Sequence, residues 1–340
     1  MRDALRALAR GESLDAESMQ AALGAVMRGE ATPVQVGGLL MGLRARGETV
    51  DELAGAVRAL RAEMVSLPAA RPDELVDTCG TGGGTVTTFN ISTVAAFVAA
   101  AAGVRVAKHG NRSYTSKCGS ADVLEALGVP LDAAVPVMAR VLDEAGIVFM
   151  FAPRMHPAMR HVAAVRRELA VTTVMNAAGP LANPAGAARQ VIGVGDPERL
   201  ELMAGAAAAL GLTHALVVHG EPGLDEVSPL GPTVVVEVRR GVVHRWCIDP
   251  SDYGLRVDAI DALAGGDPAD NARLARLVLA GRGTPAARSA VALNAAAAIY
   301  VASVAPTYAA AISLALSTLD TGAGLIALDR MLAAYRSAVG

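Results

Sequence analysis

DTCGTGGGTVTTFNISTVAAFVAAAAGVRVAKHGNRSYTSKCGSADVLEALG, residues 77–128, decides the fold. A short β-rich run ends in a glycine turn. An apolar helix begins near Ser92, a second β-rich run (VRVAKHG) follows, and another helix opens near residue 119. Strands alternating with helices of this length build a mainly parallel sheet. The alternation continues downstream through a helix at 134–145, IVFMFA, RQVIGVG, a helix near 197–210 and HALVVHG. TVVVEVRR and VVHRWCI flank Arg240-Gly241 and predict a hairpin at one sheet edge. The last 70 residues return to helix.

Upstream the pattern is helical only. Thr32-Pro33-Val34-Gln35 and Thr49-Val50-Asp51-Glu52 are capping boxes, the first with proline at the first helical position. Leu53, Val57, Leu60 and Met64 then form an amphipathic stripe. SLPAARPDE (66–74) is a linker by its prolines. The expected architecture is therefore α/β. A small all-helical domain spans 1–66, and a large α/β domain, a mainly parallel central sheet with flanking helices, spans 74–340.

Composition narrows the function. The chain has 340 residues, 53% of them apolar, enough for a sizeable core, and aromatics are only 3%. A net charge of -3 argues against a general nucleic-acid or anionic-membrane binder. Cys79, Cys118 and Cys247 are scattered and form no CxxC pair, which argues against a disulfide framework or structural zinc. The charged N-terminus lacks the apolar core of a signal peptide, and a cytoplasmic location is expected. No charged residue lies between Arg288 and Asp320, but polar residues and Pro306 interrupt this Ala-rich run. Two packed helices are expected there, not a membrane span.

Local chemistry concentrates in a few segments. Only two residues are lysine, Lys108 and Lys117, against 28 arginines. Gly80-Thr81-Gly82-Gly83-Gly84-Thr85 sits between a strand and a helix, where backbone N–H groups can face an anion. It is neither a P-loop nor the dinucleotide fingerprint, and glycine content alone fits a flexible turn as well. Thr87, Thr88, Asn90, Ser92 and Thr93 crowd one helix entry with more polar groups than a cap uses. Lys108, His109, Asn111 and Arg112 stand at a strand's C-terminal end, where α/β sheets bind ligands. Lys117 and Ser120 open the next helix and repeat the anion theme. HPAMRHVAAVRR (156–167) is expected to form one helix with His156 and Arg160 on a shared face. An arginine on its partly apolar face, Arg166, suits a bidentate grip on a carboxylate. Asp225-Glu226 lies in a Gly/Pro-rich loop after HALVVHG, an arrangement that suits Mg²⁺ or a plain solvated turn.

Together GTGGGTVTTFNIST, KHGNRSYTSKCGSADVLEALG, HPAMRHVAAVRREL, NAAGPLANPA and GLDE, in this order and spacing, resemble the anthranilate phosphoribosyltransferases over essentially the whole chain. The resemblance implies a fold shared with the pyrimidine nucleoside phosphorylases. It also implies a homodimer formed through the helical domain, to which a segment near 168–188 returns. It implies transfer of phosphoribose from 5-phosphoribosyl-1-pyrophosphate (PRPP) to the amine of anthranilate, in tryptophan synthesis, with two Mg²⁺ ions per subunit. Neither nucleic acid nor membrane is an expected partner. Gly80, Gly82, Gly83, Thr88, Asn90, Ser92, Thr93, Lys108 and Ser120 are implied to bind PRPP. Gly80, His109, Asn111, His156 and Arg166 are implied to bind anthranilate, and Ser92, Asp225 and Glu226 the metal. Lys108 and Arg166 are the implied catalytic residues. Competing expectations are a nucleoside phosphorylase, or a non-catalytic nucleic-acid-binding paralogue. The chain departs from the family pattern at Gly84-Thr85 (Asp-Gly is usual), Cys118 (Ser) and Met175 (Phe).

Overall fold

The computed structural model describes residues 1–113 and 117–339. The chain opens with α1 (Arg2–Ala9), α2 (Ala16–Met27), α3 (Pro33–Arg46) and α4 (Val50–Ala62). Both predicted capping boxes form. Thr32 Oγ1 accepts from Gln35 N–H at 3.3 Å and Thr49 Oγ1 from Glu52 N–H at 3.2 Å. The two N3 side chains return bonds of 3.0 and 2.9 Å to the cap backbones. Glu52 is fully buried, where Arg46 pairs with it and Leu14 N–H donates at 2.9 Å. Gly55 lets α4 press on α2, because a Cβ there would lie 2.4 Å from the Ala16 carbonyl oxygen.

Seven strands among the described residues form one sheet. They are β1 (Leu75–Gly80), β2 (Arg105–Gly110), β3 (Ile147–Phe151), β4 (Arg189–Gly193), β5 (His214–Gly220), β6 (Thr233–Arg239) and β7 (Val242–Ile248). The order is β3-β2-β1-β4-β5-β6-β7. β1 to β5 run parallel; β6 and β7 are antiparallel. The β6–β7 hairpin turns through Arg240 (φ 50°) and Gly241 (φ 81°), the positive angles a two-residue loop demands. Connections leave β1 toward β2 and β3, then jump to β4 and β5 on the other side. The switch point therefore lies between β1 and β4, and a ligand crevice belongs at their C-terminal ends.

Strands β1 to β6 are buried on both faces, and the edge strand β7 is largely exposed. Against one face pack α5 (Ile91–Ala101), α6 (Ser120–Ala126), α7 (Val135–Ala145) and the final helices. Those are α12 (Pro268–Leu279), α13 (Pro285–Val301), α14 (Tyr308–Asp320) and α15 (Ala323–Val339). The other face carries α10 (Val174–Leu181), α11 (Leu200–Ala209) and the N-terminal bundle. Strand alternation divides the two cores: Leu216 and Val218 of β5 join the first, Ala215 and Val217 the second. The uncharged run near Pro306 is α13, a gap and α14, with α13 almost wholly buried. No single helix among the described residues is long and apolar enough to cross a membrane.

One expected helix is broken. α8 (Ala152–Met155) ends at His156, which takes φ -123° and ψ 65°. A 3₁₀ turn (Pro157–Met159) follows, and only then α9 (Arg160–Leu169). His156 therefore shares no helical face with Arg160. The cause is local, since the Pro157 ring drives the preceding residue out of the helical region.

Candidate active site

Two bare strand ends meet at the switch point. Gly80 ends β1, Gly193 ends β4, and the loop after β5 lays Asp225 across them. A Cβ on Gly193 would sit 1.7 Å from the Asp225 carbonyl oxygen, and one on Gly80 would sit 3.0 Å from Asp225 Oδ2. Glycine is required at Gly193 by contact. At Gly82 (φ 67°) and Gly83 (φ 81°) the requirement is conformational: both are exposed and face open space. The glycine loop is tied to its neighbours through the backbone. Thr81 N–H donates to Gly193 O at 2.8 Å, and Thr85 N–H to Gly223 O at 2.9 Å.

Beneath this loop lies a cavity of about 50 Å³ lined by Cys79, Gly80, Ser92, Gly193, Asp225 and Glu226. Ser92, in the first turn of α5, donates its N–H to Glu226 Oε1 at 3.2 Å. Burial, then the neighbouring Asp225 charge, push the Glu226 carboxyl up to about 8, against the opposing pull of Lys108. Burial also raises Asp225. Two adjacent carboxylates that are costly to ionise are a donor set suited to a hard divalent cation. With the Ser92 hydroxyl they leave room for phosphate and water oxygens, the common Mg²⁺ arrangement. Asn294 of α13 fixes the loop, accepting from Val227 N–H at 2.9 Å and donating to Val227 O at 2.8 Å.

Lys108 lies in β2 and is only 4% exposed. Its ammonium donates to the Thr78 carbonyl, to Thr78 Oγ1 at 3.2 Å and to Ser92 Oγ at 3.4 Å. It thus sits within the protein behind Ser92, with burial lowering its pKa against the pull of Asp77. Asp77 is fully buried in β1; its Oδ1 accepts from His109 N–H at 3.1 Å and its Oδ2 from Asn183 Nδ2 at 2.7 Å.

Beyond β2 the His109 and His156 rings lie 5.0 Å apart, and both Nε2 atoms are buried without a hydrogen-bond partner among the described residues. Burial lowers His109 to about 3, aided by His156 and Lys108, and burial lowers His156 to about 4. Both imidazoles are neutral at pH 7. Asn111 holds the loop after β2: its carbonyl accepts from Ser120 Oγ and Ala121 N–H, each at 3.2 Å. Arg112 turns outward to Asp122 (2.6 Å) and Glu125 (2.9 Å). Lys117 is exposed, and residues 114–116 of this motif lie outside the described residues. Arg166 on α9 donates to Asn176 Oδ1 of α10 at 3.3 Å, and α10 reaches β1, where Cys79 Sγ lies 3.5 Å from Pro180 O.

The remaining candidates divide. Asn90 pins its loop, donating to Cys118 O at 3.0 Å and accepting from Asn271 Nδ2 at 3.0 Å. The Thr88 carbonyl packs against Gly265. Thr93 is 2% exposed, its hydroxyl without a partner among the described residues, and it lines a small apolar pocket with Phe97, Lys108 and Phe149.

Comparison with known proteins agrees with this geometry. The glycosyl transferase family helical bundle domain matches residues 2–64, and the family's a/b domain matches residues 72–325. An anthranilate phosphoribosyltransferase of Rubrobacter xylanophilus is 49% identical over 340 residues, covering 100% of this chain and 99% of the relative. The chain belongs to the anthranilate phosphoribosyltransferase family. The crystal structure of the Thermus thermophilus enzyme superposes with a TM-score of 0.93 at 45% identity, covering 98% of this chain and 99% of that one. The Saccharomyces cerevisiae enzyme in complex with PRPP and Mg superposes at 0.87, with 26% identity over 95% and 94% of the two chains.

The departures from the family pattern have visible settings. At Gly84 a Cβ would stand 2.9 Å from Gly223 O and 3.2 Å from Asp225 Oδ1, so this loop conformation has no room for a carboxylate. Thr85 Oγ1 instead reaches Pro222 O at 3.3 Å. The Cys118 thiol lies 3.3 Å from Asn90 Oδ1, and Met175 is buried in the second core. Sequence reasoning assigned no role to Asp77, Thr78, Asn183, Asn271 or Asn294. The one available signal was an acid inside the otherwise apolar strand run LVDTC.

Proposed function

We propose that this chain transfers the 5-phosphoribosyl group of PRPP to the amine of anthranilate, giving N-(5-phosphoribosyl)anthranilate and pyrophosphate in tryptophan synthesis. The observation that carries the reading is the paired Asp225 and Glu226 beside Ser92, at the bare strand ends of a chain that covers 99% of the Rubrobacter xylanophilus relative. Gly80, Gly82 and Gly83, with Thr88, Asn90, Ser92, Thr93, Lys108 and Ser120, are the proposed PRPP shell. Gly80, His109, Asn111, His156 and Arg166 are the proposed anthranilate shell.

The reaction forms a C1–N bond as the bond from C1 to the pyrophosphate oxygen breaks. Positive charge builds on the ribose, and the amine gives up a proton. Anthranilate's amine is neutral at pH 7 and needs little activation, so positioning dominates. Arg166 orients the acceptor by its carboxylate. Neutral His109 and His156 add no positive charge on the acceptor side of the site. Backbone N–H groups of the glycine loop hold phosphate oxygens. Asp225, Glu226 and Ser92 would hold Mg²⁺, two ions per subunit, which supplies electrostatic stabilisation of the leaving pyrophosphate. The proposal extends to a homodimer formed through a helical domain of residues 1–66 joined by a segment near 168–188. A catalytic domain of residues 74–340 and a cytoplasmic location complete it.

The test is the fluorescence loss of anthranilate in the presence of PRPP and Mg²⁺. Loss should require all components together. Loss that persists without PRPP, or no loss with the complete mixture, would reject the assignment.

A further inference from the structure

β1 and β2 part company before either strand ends. Their ladder holds at Leu75↔Arg105 and Val76↔Val106 and then stops. Yet β1 continues beside β4 to Gly80, and β2 beside β3 to Gly110. A continued parallel ladder would place Thr78 opposite Lys108. Its N–H would meet the Ala107 carbonyl, and its carbonyl would meet the His109 N–H. Side chains take both places on β2. Asn183 Nδ2 donates to Ala107 O at 2.9 Å, and the His109 N–H goes to Asp77 Oδ1 at 3.1 Å. The released Thr78 carbonyl accepts from the Lys108 ammonium. Ala107 O, His109 N–H and Thr78 O thus each keep a partner, which offsets most of the cost of the gap.

We propose that Asp77 is a positioning residue for the transfer reaction: gripped by Asn183, its carboxylate wedges β1 from β2, seats Lys108 behind Ser92 and fixes the His109 backbone. It acts through those residues and touches no substrate. The inference rests on the transferase reading given above. The carboxylate is specifically needed because its two oxygens serve two donors, His109 N–H and Asn183 Nδ2. An asparagine at 77 has one acceptor and leaves one buried donor unpaired. Asn183 is held in turn, with its Oδ1 accepting from Ala185 N–H at 2.9 Å and Ala187 N–H at 3.4 Å. A simultaneous exchange, Asp77→Asn with Asn183→Asp, rebuilds the bond between the two side chains and keeps an acceptor for His109. It loses the bond to Ala107 and sets a carboxylate oxygen against that carbonyl, so the rescue is partial.

Three arms test this. In the wild-type protein, the His109 amide should be protected from hydrogen exchange as strongly as the ladder amides of β2; rapid exchange there overturns the wedge, whatever the variants do. Asp77→Asn, checked for folding by circular dichroism, should lose about 100-fold in kcat, the scale of a misplaced site, and lose His109 protection. The KM for PRPP should change much less. The paired exchange should recover part of kcat and part of His109 protection together. A folded Asp77→Asn with wild-type kcat, or an exchange variant that recovers protection without kcat, overturns the proposal. Failure of the wild-type enzyme to consume anthranilate with PRPP and Mg²⁺ rejects the transferase reading instead, and leaves the exchange measurement interpretable.

Discussion

Burial and Asp225 raise the Glu226 carboxyl to about 8, so a proton competes with a cation for it near neutral pH. Glu226→Gln copies the protonated shape and cannot copy the ligand. Turnover should fall roughly 100-fold or more at every Mg²⁺ concentration, and an unchanged Mg²⁺ titration would sink the metal assignment. Arg166→Ala should raise the KM for anthranilate far more than that for PRPP; steady-state kinetics with each substrate varied would show an equal rise if the carboxylate role is wrong. The buried histidines give a pH dependence of the opposite kind from an ion pair. His156 has a folded pKa of about 4 against 6.5 in its ordinary state, so below pH 6.5 the unfolded chain binds the extra proton. Its contribution to stability is complete above pH 6.5 and is lost as pH falls toward 4. His156→Gln should flatten that part of the Tm-versus-pH curve, and an identical slope in both proteins would contradict the assignment. Residues such as Lys108 and Asp225-Glu226 were legible because their chemistry is unusual where it stands in the sequence. Asp77 was not, because its partner Asn183 lies 106 residues away and only the folded sheet brings the two together.

Elements announce themselves when their signals are local. Both capping boxes, the Arg240-Gly241 hairpin and the break before α14 could be read from a few adjacent residues. His156 was misplaced although its signal was equally local, since Pro157 outweighed the helical period around it. Thr49→Ala removes the cap of α4 and should destabilise the protein by about 1 kcal/mol, measured as a fall in the urea midpoint with the slope unchanged. Gly193→Ala acts differently. Its Cβ would meet the backbone of Asp225, so the loop after β5 must shift. Activity should collapse while far-UV circular dichroism stays native; full activity would mean that the close approach of β4 to that loop is dispensable.

At the scale of the whole molecule, strand order was hidden from the sequence. Alternation indicates that strands are parallel, but not that β4 passes over β1 to make the switch point. The shared core was hidden too. Val217 and Val236 of the sheet pack in the same cluster as Leu39 and Leu53 of the bundle. A fragment beginning at residue 74 should expose that face and bind a hydrophobic dye, and the intact chain should melt in one transition. A dye-silent fragment would show that the two parts fold independently. The Thr85–Gly223 hydrogen bond has a thermodynamic consequence of its own. It ties the loop after β1 to the loop after β5, so ordering one removes conformational freedom from the other. PRPP and Mg²⁺ should then each tighten the other's binding by the same factor, through the joined loops as well as through their direct attraction.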